Sequence, residues 1–199
     1  MHIESKCIHS GEGIDTITKG INTPIFPSSA HEYLDADEVV YPRYFNTVNQ
    51  KVIVQKICDL EEAEDGVIFS SGMAAISTVL LSFLKEGDHV ILQDEIYGGS
   101  YAFAQMFFER FGIAYSFVAT NTESIESAIK PETVLIYIET PTNPLLSIID
   151  IHEVAEIAKG NNCITVIDNT FATPINQNPI ELGIDIVLHS GTKYLGGHS

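Results

Sequence analysis

Basic residues are scarce in this chain of 199 residues, where Lys and Arg number 10 against 27 Asp and Glu, a formal net charge of −17 at pH 7. Such a surplus of acid repels a phosphate backbone, and no run of Lys or Arg offers a local exception, so nucleic acid is a poor partner. Cysteine is sparse as well. Cys7, Cys58 and Cys163 are odd in number and lack CxxC spacing, which argues against a disulfide framework or a zinc site and fits a reducing cytoplasm. Long apolar runs are missing, and the opening MHIESKCIHSGEG has no apolar stretch behind a basic patch. The protein therefore reads as soluble and unexported, with no membrane partner. No GxGxxG follows any strand, which argues against a nicotinamide-binding dehydrogenase. His189 and His198 flank a lysine-bearing loop without His/Cys spacing or a supporting carboxylate pattern, so no metal is expected there. Internal repeats and low-complexity tracts are absent.

What is present is ordinary globular material, 45% hydrophobic and 19% charged, long enough to bury a core. The organisation changes near residue 46. Before it, GINTPIFPSSAHEYLDADEVVYPRYFN mixes Pro, Ser and aromatics without a lasting period, so residues 1–45 read as an extended arm. After it, β-branched runs (GVIF at 66–69, HVILQD at 89–94, TVLIYIE at 133–139, ITVID at 164–168, DIVLHS at 185–190) alternate with helical patterns. Those patterns are VNQKVIVQKICDLEEA, GMAAISTVLLSFLKEG, GGSYAFAQMFFERFG and IHEVAEIAKGNN. Strands this apolar, separated by helices, predict an α/β fold with a mostly parallel sheet covered on both faces.

Ligands of such a sheet bind beyond the carboxyl ends of its strands, so the residues that end strands are the informative ones. FSSGMAA runs through Ser70, Ser71 and Gly72 into a helix starting near Met73, an N-terminus suited to a phosphate, or a plain cap by either serine. ITVIDNT ends on Asp168, a carboxylate that needs a cationic or proton-donating partner if buried, or that caps the following turn. DIVLHSGTKY brings Ser190, Thr192 and Lys193 out on one turn, unless Lys193 is simply a surface lysine. DEIYGGS adds Tyr97 beside two glycines that permit close approach of a flat ligand, or only a turn. ETPTNP holds Asn143 between prolines that stiffen its loop, so its amide is held at one angle, or it is only a structural loop. Together these propose a phosphate cradle, a buried anion, an aromatic platform and a lysine around one crevice, which are the needs of pyridoxal phosphate.

ETPTNP, IDNTFATP and HSGTKYLGGHS, in this order, resemble the transsulfuration (Cys/Met metabolism) family of pyridoxal-phosphate enzymes, a branch of the aspartate-aminotransferase-like fold type I. The similarity runs from IHSGEG and NTPIFPSSA to the final serine. The resemblance implies that Lys193 is the Schiff-base lysine, Asp168 pairs with the pyridine nitrogen and Tyr97 stacks on the ring. It implies backbone amides of Gly72 and Met73 and hydroxyls of Ser190 and Thr192 on the phosphate, with Asn143 near the ring hydroxyl. Tyr41 and Arg43, in YPRYFN, match a Tyr-x-Arg pair given to a neighbouring subunit's phosphate, so a homotetramer built from dimers with shared sites is implied.

Lys193 and Tyr97 are the implied catalytic pair, acting on a small amino-acid substrate. The implied reactions are elimination or replacement at Cγ, or Cβ, of a sulfur-containing or O-acylated amino acid. Gly99 stands where methionine γ-lyases commonly carry cysteine, which favours cystathionine γ-lyase or γ-synthase types over methionine γ-lyase. Cystathionine β-lyase and O-acetylhomoserine sulfhydrylase share every motif named. Two departures stand out. Asn46, Thr47 and Val48 replace the usual Asn-Pro-Thr after the Tyr-x-Arg pair, and family members continue beyond the lysine into the rest of the large domain (here 46–199) and a C-terminal domain with the arginine that holds the substrate carboxylate. The chain is expected to be truncated or a fragment, and an inactive fragment or assembly module is the rival of another class.

Overall fold

The alternation of apolar runs and helices builds a five-stranded, wholly parallel sheet in the order β2-β1-β3-β4-β5. The strands are β1 (His89–Gln93), β2 (Ala114–Val118), β3 (Thr133–Glu139), β4 (Ile164–Asp168) and β5 (Ile186–Leu188). The computed structural model describes residues 1–198 and divides into two compact units, Met1–Ile68 and Phe69–Ser199, the sheet lying in the second.

Helices α3 (Gly72–Phe83) and α4 (Gly98–Phe107) cover one face, and α5 (Thr122–Ala128) and α6 (Ile151–Gly160) the other. Chain direction explains the division. The path steps outward from β1 to β2 through α4, then returns past β1 to β3 and on to β4 through α5 and α6. Right-handed crossovers put helices on opposite faces when the direction of travel reverses. Along β3, Leu135 and Tyr137 pack toward α3 and α4 while Ile136 and Ile138 pack toward α5 and α6, as the two-residue strand period requires. The reversal leaves a topological switch point between β1 and β3, and ligands of such sheets bind beyond the carboxyl ends of the strands at that point.

Local signals set the helix ends. Ser71 accepts from Ala74 N at 3.1 Å at the start of α3, and Asp150 accepts from Glu153 N at 3.0 Å at the start of α6. A short α7 (Thr173–Asn176) follows β4. In the N-terminal unit, α2 (Val48–Glu61) begins with a capping box of Thr47 and Gln50. The segment read as extended carries a helix of its own, α1 (Ile3–His9), which lies against α2 with Lys6 Nζ donating to Asp59 O at 2.9 Å and paired with Glu62.

Several elements differ from the sequence reading, among them α5, which lies in none of its helical patterns. Residues 66–69 form no strand; an apolar run needs a sheet edge to satisfy its backbone, and this one lies at the junction of the two units with Val67 60% exposed. The edge strand β2 was hidden in AYSFV, whose half-buried pattern and central Ser116 are weaker than the fully apolar runs of β1 and β3. The helix over 98–112 is also split, with α4 ending at Phe107 and a 3-10 turn at Glu109–Phe111.

Phe108 is fully buried between α4, Tyr115 and Phe103. Phe108→Ala is expected to lower stability by about 3–5 kcal/mol through lost burial and a residual cavity. Urea unfolding of the two proteins side by side checks this.

Candidate active site

The carboxyl ends of the strands carry the polar residues that the apolar sheet interior excludes. At the switch point Glu139, the last residue of β3, is 4% exposed. One carboxylate oxygen accepts from Tyr97 N at 2.7 Å and the other from Asn143 N at 3.0 Å. Its own N–H donates to Gln93 Oε1 at the end of β1, at 2.5 Å. The loops after β1 and β3 are thereby tied to one side chain. Tyr97 and Asn143, expected in one crevice, are brought together, both with exposed side chains.

Asp168 ends β4 opposite Glu139 in the strand register, so both carboxylates point to the α3/α4 face. It is 8% exposed and accepts from Thr170 N at 3.0 Å, so it caps the following turn while buried. Beneath it lies Tyr137, wholly buried, whose phenol is pushed well above its ordinary pKa by burial and by the Asp168 carboxylate. Burial pushes the Glu139 carboxyl up to about 7, with Asp168 adding to the rise and the N–H groups of Tyr97 and Asn143 opposing it.

The start of α3 packs closely on the loop after β5. A Cβ built on Gly72 would lie 2.8 Å from Ser190 Cβ and 3.0 Å from Ser190 Oγ, so only glycine lets the start of α3 meet the loop after β5. The first N–H groups of a helix have no intrahelical acceptor, and here they open beside a hydroxyl. Ser190 N donates to Thr170 Oγ1 at 2.8 Å and Asn169 N to Leu188 O at 2.9 Å, which binds the loops after β4 and β5 to each other. Lys193 N donates to Ser190 O at 3.1 Å, placing Lys193 and Thr192 on the same exposed turn. On the other side of the crevice a Cβ on Gly99 would lie 2.5 Å from Tyr97 Cε1 and 3.0 Å from Met73 Sδ. Met73 and the Tyr97 ring thus meet over Gly99.

Tyr41 and Arg43 belong to the N-terminal unit, where the Arg43 guanidinium donates to the Tyr41 hydroxyl and lies 5.5 Å from the Tyr41 ring centroid. Asn46, one of the departures from the family pattern, accepts from Tyr41 N at 2.9 Å and donates to Val39 O at 2.9 Å, so it closes this turn. Sequence reasoning missed Glu139, Gln93, Thr170 and Tyr137 as site residues. Glu139 had a signal, a carboxylate closing a fully apolar strand; the others became visible only through the register and loop contacts.

The family described as Cys/Met metabolism PLP-dependent enzyme matches residues 4–199. The chain belongs to this family. Members similar to it include a cystathionine gamma-lyase of Bacillus subtilis, 46% identical over 96% of this chain and 51% of the relative. A cystathionine beta-lyase of Lactococcus lactis subsp. cremoris is 43% identical over 99% of this chain and 52% of that protein. The crystal structure of metB from Corynebacterium glutamicum superposes with a TM-score of 0.94 at 41% identity, covering 100% of this chain and 53% of that one. The architecture is that of fold type I, and the chain spans about half the length of the curated relatives it matches.

The raised pKa of Glu139 has a consequence for this family member's stability. Its native value near 7 lies above the unfolded 4.5, so between these values the native chain binds more protons than the unfolded one and stability falls as pH rises. Urea unfolding across that window is expected to show Glu139→Gln gaining stability relative to wild type as pH rises, with the difference levelling above about pH 7.

Proposed function

We propose that this chain is the cofactor-binding part of a pyridoxal-phosphate enzyme that eliminates or replaces a group at Cγ, or Cβ, of a sulfur-containing or O-acylated amino acid. The observation that carries the proposal is the convergence of Gly72 with Ser190, of Tyr97 with Asn143, and of Asp168 at adjoining strand ends. Membership of a pyridoxal-phosphate family and relatives named cystathionine gamma-lyase and beta-lyase support the cofactor and the reaction class.

The residues fit the cofactor. The glycine-only contact of Gly72 with Ser190 leaves an anion cradle of helix N–H groups and a hydroxyl, and the amides of Gly72 and Met73 with the hydroxyls of Ser190 and Thr192 would hold the phosphate. Asp168 would keep a proton on the ring nitrogen, Tyr97 would lie against the ring and Asn143 would face its hydroxyl. When bound, pyridoxal phosphate supplies a sink for the electrons left on the substrate Cα. Lys193 would bond the cofactor aldehyde, and its amine, when free, would take the substrate Cα proton as a general base. Tyr97 would carry a proton to or from the substrate amine or the leaving group.

The finer reading favours the cystathionine γ-lyase or γ-synthase type in the cytoplasm. We take residues 1–45 as an arm toward a neighbouring subunit and 46–199 as the cofactor-binding domain. Tyr41 and Arg43 would complete the neighbour's phosphate site in a homotetramer of dimers. Their exposure and mutual hydrogen bond support that role. Among the described residues no helix is long and apolar enough to cross a membrane.

An absorbance titration of the 199-residue chain with pyridoxal phosphate tests the reading. A visible band is expected that Lys193→Ala abolishes, with borohydride fixing the cofactor to Lys193 in peptide maps. A folded, monodisperse chain that shows no band overturns the proposal. Asp168→Asn is expected to weaken cofactor binding about 10- to 100-fold by removing a charge-assisted hydrogen bond, read from the same titration.

A further inference from the structure

Glu139 pays an electrostatic cost for its position. A carboxylate that is 4% exposed and placed beside Asp168 in the strand register loses hydration and meets a like charge. A neutral side chain would avoid both. Only an ionised carboxylate, however, presents acceptors on both of its ends, and here both ends are used, toward Tyr97 N at 2.7 Å and Asn143 N at 3.0 Å. A glutamine in the same place would turn an NH2 group toward one of these N–H groups. The side chain is also fixed from behind, since Glu139 N donates to Gln93 Oε1 at 2.5 Å and Gln93 is fully buried.

From this geometry we infer that Glu139 is a positioning residue, which sets the Tyr97 ring and the Asn143 amide at a fixed separation across the crevice by holding both of their backbone N–H groups. The inference rests on the proposed roles of Tyr97 and Asn143 at the cofactor ring. It adds a requirement that the motif ETPTNP leaves open, namely that the glutamate serves the two loops and does not itself touch the ring. Tyr97 begins α4 and its ring lies over Gly99, so a shift of the Tyr97 backbone tilts the ring against Met73. The loop itself is anchored at the buried Thr142, which bonds Ser147 and Leu146, while the Asn143 N–H is held by Glu139.

The test compares wild type with Glu139→Gln at about pH 8, where the Glu139 carboxyl, with its pKa of about 7, is mostly ionised. Residue-resolved amide exchange on the cofactor-free chain is expected to quicken about tenfold or more at Tyr97 or Asn143, with the β-strand amides unchanged. Pyridoxal phosphate is expected to bind about tenfold more weakly and with an altered visible circular dichroism, while borohydride still traps it on Lys193. Unchanged exchange at both amides overturns the inference, as does faster exchange spread evenly over the chain. Faster local exchange with unaltered cofactor affinity and dichroism also overturns it. A wild-type chain that binds no cofactor defeats the proposed function instead, and the exchange result then stands alone as a statement about the two loops. Should the variant not fold, wild-type exchange at about pH 8 and about pH 5.5, corrected for intrinsic rates, replaces it. Asp168 and Tyr137 are the titratable groups facing Glu139, and Glu95 accepts from Thr142 Oγ1 at 3.4 Å in the loop after β3. Loss of protection confined to Tyr97 and Asn143 at the lower pH supports the inference, and uniform behaviour overturns it.

Discussion

A parallel sheet buried on both faces leaves polar chemistry one place to go, the ends of its strands, and this chain obeys that constraint closely. The interior residues of β3 and β4 are aliphatic or fully buried, and the first carboxylates in either strand are Glu139 and Asp168 at their carboxyl ends. The reversal of chain direction between β1 and β3 then decides which ends matter, because ligands of open parallel sheets bind beyond the strand ends at such a switch point. Position along the strands, more than any single motif, explains why Tyr97, Asn143, Asp168 and Ser190 are neighbours although they are far apart in sequence.

Much of this was legible beforehand, for a physical reason. Runs such as TVLIYIE and ITVID are too apolar for anything but a doubly covered strand, so β1, β3, β4 and β5, with α3, α4 and α6, could be placed from the sequence pattern, whereas the short α5 and α7 could not. Their carboxyl ends then named the candidate residues. The failures have equally local causes. GVIF has strand composition but no paired edge, and β2 has a paired edge but mixed composition, so propensity misled in both directions. Glu139 was overlooked because its role lies in what it accepts. A carboxylate reads in sequence as a charge, whereas two backbone N–H groups converging on it can be seen only once the loops after β1 and β3 are in space. Gln93, Thr170 and Tyr137 share that difficulty, since each acts through a partner on another strand.

The acid surplus of the chain sits uneasily beside an anionic cofactor, and distance resolves the conflict. At physiological salt, charges are screened over about 8 Å, so most of the 27 acidic residues exert little force on a phosphate held in a crevice. What counts is the immediate lining, which is segregated. The start of α3 and the loop after β5 offer N–H groups, hydroxyls and the Lys193 turn, whereas the carboxylates stand at the ends of β3 and β4. A ligand with an anion at one end and a protonated nitrogen at the other matches both halves of that lining, and a simple dianion such as free phosphate matches only one. The proposed arrangement would therefore suit a molecule with separated charges, as pyridoxal phosphate is.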